Sequence, residues 1–100
     1  MSRGAAGTVL APEYALAADR DLDGIADYYE AQGAWQAALD VPERIREAAK
    51  LICHAPSAWP IGVSGVHERV LADLPFQIAY EVTRTHVRVL RIKHTLQMWP

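Results

Sequence analysis

The strongest constraint on this chain lies in its last third. From Phe76 to Val82, Phe76, Ile78, Tyr80 and Val82 alternate with Gln77, Ala79 and Glu81. That period of two predicts a strand with one buried face. Thr83-Arg84-Thr85 then reads as a hairpin loop, and His86 to His94 as the returning strand. The returning strand has a mixed pattern. Val87 and Val89 point one way, Leu90 and Ile92 the other, which requires a central strand or a bulge. Upstream, His67 to Leu71 predicts a third strand, joined to Phe76 by a turn at Asp73-Leu74-Pro75. A sheet of this size buries its apolar face only if the rest of the chain covers it.

The first half supplies that cover. Glu13 to Ala17 alternates and predicts a short strand. Leu22, Ile25, Ala26 and Tyr29 then fall on one helical stripe, with Asp19 as the expected N-cap and Asp21 and Asp23 in the first turn. Gly33 marks the end of that helix. A second helical region runs from about Ala34 to His54, its buried stripe formed by Ile45, Ala48, Ala49 and Ile52. Pro42 lies inside it, and Asp40 with Glu43 has capping-box spacing, so a restart or kink is expected near Asp40. Ala55 to Gly65, with Pro56, Pro60, Gly62 and Gly65, reads as a loop, with Trp59 set into the core beneath it. Met98 and Trp99 predict a tail that docks rather than frays. The expected fold is α+β, in the order β-α-α-β-β-β: an antiparallel sheet with a two-helix hairpin on one face and the other face partly open. Residues 1–12 read as a flexible leader and residues 13–100 as a single domain.

Composition agrees with one small globular unit: 100 residues, 51% hydrophobic, 22% charged. No apolar stretch approaches the ~20 residues that span a bilayer. The early Gly- and Ala-rich stretch is interrupted by Pro12 and Glu13, so it does not make a secretion signal. The single cysteine, Cys53, excludes an intrachain disulfide, suits a reducing cytoplasm, and reads as a small core residue. The net charge of −2 is unevenly spread. Residues 1–66 carry five basic and nine acidic side chains; residues 67–100 carry five basic and three acidic, with no acid after Glu81. That last third is suited to an anionic partner. One motif points elsewhere. Asp19-Arg20-Asp21-Leu22-Asp23-Gly24, followed by Glu30, fits the spacing of a calcium loop. It stands as a single copy without an incoming helix, and its residues equally suit a helix start. A helix would spread its carboxylates around the circumference.

The chain resembles the RelE/ParE toxin superfamily of bacterial type II toxin–antitoxin systems. Tyr14-Ala15-Leu16 before Ala18-Asp19-Arg20-Asp21-Leu22, continued by Ile25 and Tyr28, looks like the family's first strand and helix. Ala55-Pro56 and Gly62 resemble its central loop, and Gly65-Val66-His67-Glu68 its next strand entry, with His67 where arginine is usual. Pro75-Phe76-Gln77-Ile78-Ala79-Tyr80 and Val87 to Trp99, with His94 and Trp99 matching, resemble its final strands.

The resemblance implies a toxin of a plasmid-stabilisation type, acting in the cytoplasm without a cofactor and neutralised by a cognate antitoxin. Two activities occur on this fold: ribosome-dependent cleavage of mRNA in RelE-like members, and inhibition of DNA gyrase by binding in ParE-like members. A metal-independent RNase needs a base, an acid and cations for the phosphate. Here Gln77 stands where a RelE-like nuclease commonly has arginine, and Thr95, Leu96 and Gln97 supply no cation after His94. The ParE-like reading is therefore preferred, with Arg84, Arg88, Arg91 and Trp99 as candidate partner-binding residues. The alternative is a histidine nuclease built from His94 and His67 with Arg69, Arg91 and Lys93.

Overall fold

A computed structural model describes residues 9–62 and 65–96. Its last two strands, β3 (Phe76–Val82) and β4 (His86–His94), have the limits that their alternation predicts. They pair antiparallel, and β2 (His67–Val70) pairs antiparallel with the other side of β3. The first strand, β1 (Ala11–Tyr14), begins before Glu13 and ends before Ala17. It runs parallel to β4, so the sheet order is β1-β4-β3-β2 and the sheet is mixed. The chain leaves β1 through two helices before it re-enters the sheet, a crossover that permits parallel pairing.

β4 satisfies both readings of its mixed pattern. It lies between β1 and β3, and its register shifts where Tyr80 pairs with Val89 but Ala79 pairs with Arg91. Leu90 is the extra residue. The bulge resets the alternation, so Val87, Val89 and Ile92 are all buried on one face.

Helix α1 (Leu16–Ala31) and helix α2 (Trp35–Ile52) form the hairpin over that face. Ala18, Leu22 and Ile25 from α1 and Val41, Ile45, Ala49 and Ile52 from α2 meet Phe76, Ile78 and Tyr80 in one core. Three expectations change here. Asp19 is not the N-cap: Ala15 holds that position, without a side-chain cap, and Asp19 lies within the first turn. The Ala15 N–H is fixed on the Val89 carbonyl at 2.9 Å, so pairing with β4 sets where the helix starts. Pro42 neither breaks α2 nor restarts it; the helix is continuous and the proline is buried among its apolar residues. Finally, Asp19 to Glu30 are helix throughout, so the calcium-loop reading fails on geometry. Among the described residues, no group of three or more His, Cys, Asp and Glu is placed to hold a metal ion.

Candidate functional site

The short reach of β1 creates the main surface feature. Its pairing with β4 ends at Tyr14 and Val89, so the second half of β4 has no neighbouring strand on that side among the described residues. Helix α1 runs past this edge. Asp21 accepts from the Ile92 backbone N–H at 2.8 Å and from the Arg91 guanidinium at 2.8 and 3.1 Å. A carboxylate with three such donors is well solvated by the protein. The same bond raises the Arg91 pKa above its already high value, against the opposing effect of burial.

Beyond Asp21 the helix and the strand edge enclose an open groove of about 430 Å³. Arg20, Gly24, Ile25, Tyr28 and Tyr29 line it from α1; Phe76, Ile92 and His94 line it from the sheet. The groove is largely apolar and aromatic. Tyr28 and Tyr29 meet edge-to-face at 5.2 Å, and so do Phe76 and His94. Tyr28 is 60% exposed, a large aromatic left half in water. His94 Nδ1 accepts from the Leu96 backbone N–H at 3.1 Å, which turns the chain after β4.

A second cluster ties the loop after α2 to the sheet. The Tyr80 hydroxyl, from the core, donates to the Pro56 carbonyl at 2.6 Å. His67 stacks on the Tyr80 ring at 5.0 Å and donates from Nδ1 to the Trp59 carbonyl at 2.7 Å. Arg69 lies 4.3 Å from the centre of the Trp59 ring and reaches the Ala48 carbonyl at 3.4 Å. Burial pushes the Tyr80 phenol above its usual range, with Arg69 opposing. Trp59 is half-buried against the core, where the sequence places it.

These positions separate the proposed nuclease residues. His67 pairs with Tyr80 on one flank of β3, and His94 pairs with Phe76 on the other flank. That is about 13 Å along the strand and about 10 Å across it. His67 and Arg69 are held under the loop, Arg91 is bound to Asp21, and Lys93 pairs with Gln77, toward the uncovered face. These five side chains do not converge into an acid, a base and a phosphate clamp.

The partner-binding candidates also divide. Arg84 is exposed in the β3–β4 turn. Arg88 faces Glu81 at 3.5 Å across the two strands on the uncovered face. Arg91 turns over the edge toward the groove, and Trp99 lies outside the described residues. The bulge is what lets Arg88 and Arg91 share the same strand face.

Asp21 enters the sequence reading only as a first-turn acid and a calcium-loop position, although the sequence carries a signal for its contact with the sheet. Of the acids in α1, it lies on the same stripe as Ala18, Leu22 and Ile25, where a carboxylate needs a partner.

The likenesses to known proteins agree with this architecture. The family described as the ParE toxin of the type II toxin–antitoxin system, parDE, matches residues 13–99. A Sinorhizobium fredii protein named "Putative toxin Y4kP" is 36% identical over 88 residues, covering 87% of this chain and 90% of that protein. A solved structure titled "Chromosomal ParDE TA system from P. aeruginosa" superposes with a TM-score of 0.75 at 26% identity, covering 86% of this chain and 96% of that one. No helix among the described residues is long and apolar enough to cross a membrane. This chain belongs to the ParE toxin family of type II toxin–antitoxin systems.

Proposed function

We propose that the protein acts in the cytoplasm by binding DNA gyrase, and that a cognate antitoxin neutralises it by occupying the groove between α1 and β4. The observation that carries the first part is the scatter of His67, Arg69, Arg91, Lys93 and His94 over separate surfaces, within a family named for ParE. With those five side chains apart, the reading favoured is a toxin that works through its surface. The second part rests on an aromatic groove beside a stretch of β4 that has no neighbouring strand among the described residues, a setting that accepts an inserted apolar segment of a partner. The solved relative is titled as a ParDE system, which supports an antitoxin partner here. Arg91 then belongs to the groove rim, while Arg84 and Arg88, away from it, are left to the target.

Purified protein should inhibit supercoiling of relaxed DNA by gyrase, and His94→Ala should leave that inhibition within about twofold. It should leave mRNA on translating ribosomes intact. Ribosome-dependent cleavage abolished by His94→Ala would reverse the assignment.

A further inference from the structure

Gly24 lies in the middle of α1, where glycine is a poor helix former. No contact among the described residues asks for it. Its backbone is not left-handed; the positive-φ glycines are Gly33 and Gly65. Nor does internal packing require it. A Cβ at Gly24 would meet no atom within 4 Å, whereas one at Gly62 would overlap the Glu68 carboxylate. Yet Gly24 lines the groove, one turn from Arg20 on one side and from Tyr28 on the other. Arg20 makes no ion pair with another described residue. The clear space over Gly24 therefore lies between the Arg20 cation and a half-exposed aromatic ring, beside β4.

We propose that Gly24 is a clearance residue: it lets an apolar segment of the antitoxin pack with its main chain against α1, while an acidic side chain of that segment meets Arg20. This rests on the groove being the antitoxin's seat. The likeness to a structure titled as a ParDE system supports the antitoxin as that occupant. Asp23 and Asp27 are exposed beside Gly24, and Arg20 is the one basic residue of α1. An antitoxin segment with its acid at the Arg20 end keeps that charge away from Asp27.

The test uses the toxin together with its cognate antitoxin. Unfolding of the free toxin and antitoxin affinity by calorimetry are both measured for Gly24→Ala, Gly24→Leu, Arg20→Glu and Tyr28→Ala. Gly24→Ala should raise the unfolding midpoint of the free protein and weaken antitoxin binding at least tenfold. Gly24→Leu should weaken it more than a hundredfold with the circular dichroism spectrum kept. Arg20→Glu should weaken it too, with recovery when the facing acid of the antitoxin is made basic. Loss with Tyr28→Ala but unchanged affinity in both Gly24 variants would overturn the clearance role alone. Unchanged affinity in all four variants would remove the antitoxin from the groove. A Gly24→Leu effect confined to self-association, read by sedimentation, would assign the surface to a second copy and overturn the proposal.

Discussion

Tyr80 shows how much one side chain holds in a chain this small. Its ring fills the core and stacks on His67, and its hydroxyl reaches the Pro56 carbonyl at 2.6 Å. Tyr80→Phe keeps the ring and leaves that carbonyl without its donor. The expected cost is about 1–2 kcal/mol, read from urea midpoints at pH 8. The phenol also predicts a pH effect. Burial raises its pKa in the folded state above the unfolded value of 10.0. Above pH 10 the native state therefore holds a proton that the unfolded chain gives up. The stabilisation is complete below pH 10 and fades as pH climbs through the folded value. Tyr80→Phe should lose less stability than the parent between pH 8 and pH 10.5. Equal losses would show that another group sets the alkaline limit.

Among the elements, α2 and β4 each break a local rule and are held by their packing. Pro42 removes one backbone hydrogen bond from the interior of α2, an effect of about 3 kcal/mol in an isolated helix. The helix continues because Ala38, Val41, Ile45, Ala48, Ala49 and Ile52 bury its inner face along the whole length. Pro42→Ala would restore the N–H and lose part of a buried ring, worth about 1–2 kcal/mol. The net expectation is a gain of about 1 kcal/mol in chemical denaturation; a loss of stability would show that the ring packs better than it strains. In β4 the bulge at Leu90 brings Val89 and Ile92 onto one face, which a regular strand cannot do. The sequence pattern required either a bulge or a central position, and the sheet uses both.

For the whole molecule, the features left unsatisfied in isolation define what it is built to meet. Among the described residues the second half of β4 has no neighbouring strand on the β1 side, the groove beside it is aromatic, and Trp35 and Leu39 stand 66% and 72% exposed on α2. A partner that binds only the folded state adds its binding free energy to stability. At a hundredfold excess over Kd this is about 2.7 kcal/mol, and each kcal/mol moves the Tm of a domain this size by roughly 4–8 °C. Saturating antitoxin should therefore raise the toxin's Tm by more than about 10 °C in scanning calorimetry. A rise below about 3 °C would mean that the partner leaves the toxin fold uncovered.

The sequence by itself determined the element order, the limits of β3 and β4, and the apolar stripes of both helices. These are local and periodic properties, and periodicity is written in consecutive residues. It also carried enough of the family pattern to identify the fold. Only the tertiary structure decided the rest. The start of α1 follows from Ala15 docking on Val89, not from the better cap at Asp19. The parallel pairing of β1 stops at Val89, short of the second half of β4. Asp21 finds Ile92 and Arg91 about seventy residues along the chain, and His67 is carried away from His94. Each of these outcomes depends on where distant segments meet, and local pattern holds no record of that distance.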